Sequence, residues 1–386
     1  MRRVLIANLF NYSGGGVRVT LSIAQVLAEE GFDVTLFALR GFDVDTLDRI
    51  HGTKLSMFIG RNLRIIYSNV TSGLKPAFIY HSVFTRYLRE QIDRLRPELV
   101  IVFDDVPKFL AEERYKDLKV MLYSHLPLYF HKEVLHINSI PYKLIDHIYH
   151  VYGSRYYYVG RALDNWLIVA NSSITAAVLH KLLNRVDAVI YPPVVKPSHI
   201  SYKEDEKRRI IASIGVMEPS KRFEVIIRSL KMVKDGHLII IGHTINKKYL
   251  KRLIKEIKNL KLEDRVKLFL DISDKLKWHL LTQAKIIAHA KIFEPFGIAV
   301  AEGMSVGAVP VVYKGFLSGP WIDIVDKGKY GLGFKDEIEL SEIIENILND
   351  HDSWREFSEK ALYRSRDFSL HIFKLRLISL LKRLGL

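Results

Sequence analysis

The sequence predicts an α/β chain of two doubly wound domains facing a central cleft, followed by C-terminal helices. Three observations carry this. Short, nearly continuous apolar runs alternate with helical patterns from the first residues onward, as expected of parallel strands covered on both faces. The alternation stops at Pro192-Pro193, Pro197 and the charged stretch Tyr202–Arg209, which is the composition of a linker. It then restarts and runs through a second set of strands and helices. A chain of 386 residues is long for one hydrophobic core and comfortable for two.

In the first half the strand candidates are Val4–Asn8, Val34–Leu39, Leu63–Tyr67, Leu99–Phe103, Val120–Tyr123, Trp166–Ala170 and Ala188–Tyr191. Helices are predicted at Val17–Glu30, ended by Gly31, and at Ile174–Leu183, where either Ser172 or Ser173 can cap. In the second half strands Ile210–Ile214, His237–Ile241, Val266–Leu270, Ile286–His289 and Val309–Tyr313 alternate with helices. Those helices are Phe223–Val233, Lys247–Leu260, Asp274–Ala284 and Ile298–Ser305. The chain closes with helices at Glu337–Asn349, Ser353–Ser365 and Ser369–Leu384. The expected division is residues 1–197 and 198–365 for the two domains, with 366–386 a helix packing back on the first. In such sheets ligands bind at the carboxyl ends of the strands, so the cleft is the expected site.

Composition excludes several classes of function. There is no cysteine, so neither disulfides nor thiolate metal sites exist. The start, Met1-Arg2-Arg3-Val4-Leu5-Ile6, resembles a signal peptide only until Asn8, Asn11 and a glycine run break it. No apolar stretch reaches the ~18 residues of a membrane span, and a cytoplasmic location is expected, with a possible peripheral place on the membrane. The net charge of +15 is spread as +6 up to residue 197 (24 basic, 18 acidic) and +9 beyond it. That dispersal is not a nucleic-acid stripe and suits phosphate-bearing ligands or an anionic membrane surface, or is a lysine-rich solvated surface.

The most informative segment is Phe293-Glu294-Pro295-Phe296-Gly297-Ile298-Ala299-Val300-Ala301-Glu302-Gly303, closed by Gly307-Ala308-Val309-Pro310-Val311-Val312. Glu294 leaves a strand end and Gly297 permits a tight backbone approach. A helix follows directly, whose free N–H groups make an anion site. Glu302 lies about a turn into that helix, where a carboxylate can accept from both hydroxyls of a vicinal diol such as a ribose. Glu294 can do the same for sugar hydroxyls.

Two glutamates separated by seven residues in this block resemble the donor-site signature of glycosyltransferase family 4. The resemblance implies the two-lobed GT-B fold, with Rossmann-like lobes, and transfer of a sugar with retention of anomeric configuration. It implies donor contacts by Phe296, Gly297, Ile298 and Glu302, and a place for Glu294 at the reacting sugar. The loop Gly215-Val216-Met217-Glu218-Pro219-Ser220-Lys221-Arg222 joins a strand to a helix. There the family has a lysine at the position of Lys221, which can neutralise a departing pyrophosphate. The family often has an arginine soon after the glycine, and Val216 stands in its place; Arg222 either substitutes for it or points to solvent.

The loop Ser13-Gly14-Gly15-Gly16-Val17-Arg18 follows the first strand. It lacks the third glycine of a dinucleotide fingerprint, because Val19 stands there. It is either a simple tight turn or, as the resemblance implies, a donor-side contact through Gly15 and Gly16. Tyr123-Ser124-His125-Leu126-Pro127 ends a strand of the first half and matches a His-x-Pro segment of one branch of the family. His125 is either a buried histidine with a single hydrogen bond or, by resemblance, a residue beside the donor sugar.

These segments, with Ile190-Tyr191-Pro192-Pro193-Val194 and Ser318-Gly319-Pro320-Trp321-Ile322-Asp323-Ile324-Val325, resemble GDP-mannose-dependent α-1,2-mannosyltransferases acting on dolichol-linked oligosaccharides. Those relatives have Ser-Gly-Gly-Pro where this chain has one glycine fewer. The partners implied are a nucleotide-sugar donor and a glycan or lipid-linked glycan acceptor, without nucleic acid. The rival readings are a non-catalytic sugar-nucleotide or glycan-binding protein and, behind it, a nucleic-acid-binding protein, which would explain the net charge of +15 but shows no recognised binding motif.

Asp104-Asp105 lacks the intervening residue of a metal-binding Asp-x-Asp and is expected to be a solvated strand end. No histidine pair has ligand spacing, so neither catalytic metal nor cofactor is expected. The aromatic and basic stretch from Tyr129-Phe130-His131-Lys132 to Tyr156-Tyr157-Tyr158, with Lys143, Arg155 and Arg161, either packs in helices or meets a membrane face.

Overall fold

A computed structural model of the chain describes residues 2–8, 14–39, 41–68, 77–127 and 156–386, with residues 77–81 described by their backbone. The chain divides into two compact units, Met1–Pro192 with Phe373–Leu386, and Pro193–Ile372.

In the first unit strands β1 (Arg3–Asn8), β2 (Asp33–Ala38), β3 (Leu63–Tyr67), β4 (Leu99–Phe103), β5 (Lys119–Ser124), β6 (Trp166–Ala170) and β7 (Ala188–Val189) form one sheet. Its order is β3-β2-β1-β4-β5-β6-β7, and every pairing is parallel. Helices α1 (Gly15–Glu29), α2 (Val44–His51), α3 (Ala77–Leu95) and α4 (Ser173–Leu183) lie between the strands. The near-continuous apolar runs exist because both faces of the sheet are covered: Leu5, Val100, Val102, Leu122, Trp166 and Ile168 are all buried in one cluster with Leu88 and Leu179. Gly31 at φ +81° ends α1. Ser172, not Ser173, caps α4, its hydroxyl accepting from the Thr175 N–H. The seventh strand is shorter than expected, because the ladder stops before Pro192-Pro193, which cannot donate to it.

The second unit repeats the plan. Strands β8 (Arg208–Ile214), β9 (His237–Gly242), β10 (Val266–Leu270), β11 (Ala284–His289), β12 (Val309–Tyr313) and β13 (Leu332–Phe334) are ordered β10-β9-β8-β11-β12-β13, again all parallel. Its helices are α5 (Phe223–Met232), α6 (Lys247–Asn259), α7 (Asp274–Gln283), α8 (Ile298–Met304), α9 (Glu337–Asn349) and α10 (His351–Ser365). Side chains of Asn246, Ser273, Asp336 and Asp350 cap four of them. A last helix, α11 (Leu370–Lys382), begins in the second unit and continues into the first. There Phe373 meets Tyr123 at 6.4 Å between rings, and Lys374 pairs with Glu29 and Glu30 at 3.0 and 2.8 Å.

In both sheets the strand order reverses beside the first strand of the unit, between β1 and β4 and between β8 and β11. Each unit thus has its own crevice at the carboxyl ends of those strands, where doubly wound sheets hold ligands.

Candidate functional site

In the second unit, β8 and β11 deliver their following loops to the same crevice. The loop after β8 depends on two glycines, Gly215 in the loop itself and Gly242 at the end of the neighbouring β9. A side chain on Gly242 would start 1.8 Å from the Gly215 carbonyl oxygen, and one on Gly215 would sit 3.1 Å from the Lys221 Cδ and Cε. Lys221 can therefore lie along its own loop and bring its Nζ to 2.9 Å from Glu294 Oε2. Two further groups address the same oxygen, His289 Nε2 at 3.4 Å from the end of β11 and the Lys291 ammonium at 3.5 Å. The Lys221 and Glu294 side chains are each only 15% exposed. Burial pushes the Glu294 carboxyl up, but Lys221, then Lys291 and His289, outweigh it and hold the group well below the ordinary carboxylate value. Burial likewise lowers His289, against the raising effect of Glu294.

The Glu294 backbone is fixed as firmly as its side chain. Its N–H donates to Leu317 O at 3.2 Å and its carbonyl accepts from Gly319 N–H at 2.7 Å, which makes a bridge to Ser318. Gly319 is the only residue type that fits, since a Cβ would lie 1.8 Å from Pro295 O. Gly297, at φ +95°, turns the chain into α8. Phe296 is buried with its ring 5.4 Å from Phe368, and Ile298, half-buried, begins the helix. Gly303 lets α8 press on β11, because a Cβ there would lie 2.7 Å from the Ile287 side chain.

Glu302 is 3% exposed, and the sequence did not advertise its partner: Lys277 of α7 approaches Oε1 at 2.9 Å while also pairing with Asp274 at 2.7 Å. Arg222 adopts φ +53° and turns inward, not to solvent. It donates to Ala290 O at 3.3 Å and lies 5.5 Å from the centre of the Tyr313 ring. Thus Lys221, Arg222, Glu294, Phe296, Gly297 and Ile298 stand on adjoining loops of one crevice. The arrangement offers a carboxylate kept ionised for accepting from hydroxyls, beside an ammonium group and an inward guanidinium suited to an anion.

In the first unit Gly15 and Gly16 open α1 just past β1, whereas Ser13 lies outside the described residues. A Cβ on Gly16 would stand 3.4 Å from His125 Cε1 and 3.5 Å from Nε2, so the glycine loop and the histidine come together. His125 is held by Asp104, whose Oδ1 accepts from the His125 N–H at 2.8 Å and lies 3.2 Å from Nδ1. A carboxylate can only accept here, which places a ring proton on Nδ1. Nε2 is buried with no hydrogen-bond partner among the described residues. Asp104 also sits at φ +64°. It is therefore not the merely solvated strand end expected from sequence; it orients a histidine, and only the juxtaposition of two strand ends could have shown this.

Of the aromatic stretch, Tyr129–Lys132, Lys143 and Arg155 lie outside the described residues. Tyr158 packs edge-on to the buried Trp166 at 5.1 Å and donates to Arg161 O, and burial pushes the Tyr157 phenol well up, with Asp105 and Asp104 adding to it. Those tyrosines are packing residues. No helix among the described residues is long and apolar enough to cross a membrane, and no group of three or more His, Asp or Glu among them could hold a metal ion.

Two parallel Rossmann-like sheets with C-terminal helices make up the GT-B fold. Residues 195–364 match the model of "Glycosyl transferases group 1" and residues 13–196 that of "Glycosyltransferase Family 4". Together the two matches run from residue 13 to residue 364, and the chain belongs to this group 1/family 4. It is similar to the GDP-Man:Man(3)GlcNAc(2)-PP-Dol alpha-1,2-mannosyltransferase of Dictyostelium discoideum, with 26% identity over 51% of this chain and 42% of that one. The enzyme of the same description from Caenorhabditis elegans is 26% identical over 56% of this chain and 51% of its own. The chain thus matches about half or less of the length of these curated relatives. An uncharacterized glycosyltransferase of Haemophilus influenzae is 23% identical over 93% of both chains. Among solved structures, sucrose-phosphate synthase from Thermosynechococcus elongatus aligns with a TM-score of 0.75 at 15% identity, over 100% of this chain and 99% of that one. Anabaena HepE, solved with UDP and glucose, aligns with 0.69 at 15% identity, over 99% and 100%.

Proposed function

We propose that the chain is a retaining hexosyltransferase that moves mannose from GDP-mannose to a glycan or lipid-linked glycan acceptor. The observation that carries the reading is the buried pairing of Glu294 with Lys221 at 2.9 Å, at the carboxyl end of the sheet where strand order reverses. In this reading Glu294 accepts from hydroxyls of the transferred sugar. Lys221 and Arg222, with backbone N–H groups near Gly297, neutralise the pyrophosphate as the glycosidic bond breaks through an oxocarbenium-like state. The arriving pyrophosphate competes with Glu294 for Lys221. Phe296 and Ile298 shape the wall of the donor pocket, and Glu302, released from or shared with Lys277, takes the ribose hydroxyls.

Gly15 and Gly16 let the donor approach the first unit closely, and His125 Nε2 accepts from a sugar hydroxyl or steadies developing positive charge. Retention without an evident nucleophile implies attack on the face from which the leaving group departs. Mannose and the lipid-linked acceptor are supported by the Ser318-Gly319-Pro320 segment and by the names of the mannosyltransferases to which about half the chain is similar.

The test is thermal-shift screening against GDP, UDP, ADP and their sugars, followed by transfer assays with the stabilising donor and determination of the product's anomeric configuration. GDP-mannose is expected to stabilise most. Glu302→Ala and Lys221→Ala variants that fold normally yet keep full transfer would show the site to be wrong; stabilisation only by a different sugar nucleotide would overturn the donor.

A further inference from the structure

Outside the crevices, the most one-sided of the described helices is α6. Tyr249, Leu253 and Ile257 bury one face of this helix. Lys247, Lys248, Lys251, Lys255 and Lys258 are all exposed, and at 100° per residue they fall with Ile254 within an arc of about 120°. From Lys247 to Lys258 there are six basic residues and one acidic. The two charges beside the stripe are already satisfied: Arg252 pairs with Glu224 at 3.4 Å, and Glu256 with Arg228 at 2.5 Å. None of the five lysines has an ion-pair partner among the described residues.

Like charges at i, i+4 destabilise a helix, and Lys247–Lys251 and Lys251–Lys255 are such pairs. Here the repulsion is retained with no local counter-charge. Two isoleucines accompany the lysines in water, Ile254 at 51% and Ile245, just before the helix, at 63% exposure.

We infer that this face of α6 is a docking surface for an anionic lipid bilayer. Lysines flanking exposed aliphatic side chains match the headgroup layer of such a membrane: the apolar groups enter it, the lysine stems lie along it, and the ammonium groups reach lipid phosphates. A nucleic acid would satisfy the charge but not the isoleucines, and the stripe holds neither arginine forks for phosphate nor aromatic rings for bases. The inference does not depend on the donor or the acceptor.

The test is sedimentation of the full chain with phosphatidylcholine vesicles, with and without about a third phosphatidylglycerol. Binding is expected only to the anionic vesicles and is lost at ~1 M salt, where screening is short-ranged. A Lys251→Ser/Lys255→Ser/Lys258→Ser variant with an unchanged melting temperature should partition about 100-fold less. An Ile245→Ser/Ile254→Ser variant should also bind more weakly. Equal binding by wild type and the lysine variant overturns the proposal. So does equal binding to neutral vesicles, no vesicle binding, or tighter salt-sensitive binding to RNA or DNA.

Discussion

Replacing Lys221 with methionine separates what its contact with Glu294 does for stability from what it does for transfer. At 2.9 Å the pair attracts by about 6 kcal/mol at an effective dielectric near 20. Much of that offsets the desolvation of two side chains that are each 15% exposed. The variant keeps the carboxylate buried with only Lys291 and His289 nearby, at 3.5 and 3.4 Å. We expect a loss of about 2–3 kcal/mol, a fall of roughly 5–10 °C in melting temperature. Transfer should fall about 10²–10³-fold with the loss of leaving-group stabilisation.

A Lys221→Met/Glu294→Gln double variant removes both charges, so its stability should return to within ~1 kcal/mol of wild type while transfer stays lost. The pH dependence has a definite sign. Glu294 is depressed from its unfolded value of 4.5, so its stabilisation is present above that pH and disappears as pH falls through the lower native value. Without Lys221 the disappearance moves to higher pH. Calorimetry across pH and a donor-turnover assay read all of this. A Lys221→Met protein as stable as wild type, or a double variant weaker than the sum of its singles, would refute the reasoning.

Lys207 is 8% exposed with its Nζ donating to Ala284 O at 2.8 Å, and burial lowers its pKa to about 7. The native state prefers it neutral while the unfolded chain keeps it protonated up to its ordinary 10.5, so stability should rise with pH between about 7 and 10.5, by about 5 kcal/mol at most. Lys207→Met should flatten that rise and raise the melting temperature at pH 7; an unchanged slope in pH-dependent unfolding contradicts the assignment. Asp104→Asn leaves the His125 proton free to move to Nε2. Transfer should fall about 10–100-fold with a shifted pH profile, whereas a rate and profile equal to wild type would show that the Asp104–His125 contact only supports the fold.

Much of the architecture is written in local pattern. Leu63–Tyr67, Leu99–Phe103, Trp166–Ala170, Val266–Leu270 and Val309–Tyr313 are strands with the bounds their apolar runs suggest, because a strand covered on both faces needs no polar alternation. Leu332–Phe334 escaped notice: three residues around Gly333 make no run, and it becomes a strand only by pairing with β12. The site divides in the same way. Glu294, Gly297 and Glu302 belong to one contiguous block, so they are visible in sequence. Asp104, Lys277 and His289 are not, because their relation to His125, Glu302 and Glu294 arises when distant segments are brought together. Arg222 shows the limit at a single residue: beside Lys221, its inward turn depends on a left-handed backbone and on Ala290, sixty-eight positions away.

Residues Phe373–Leu386 complete the first unit although they follow the whole of the second in the chain. During synthesis, then, the first unit emerges from the ribosome without the Phe373 ring that packs on Tyr123 and without the Lys374 and Arg383 contacts to Glu29, Glu30 and Asp187. It must wait, incompletely packed, for some 180 residues of intervening chain. Vectorial folding is therefore out of register with domain order here, and a holding chaperone or a slow final docking step would act on the half of the protein made first.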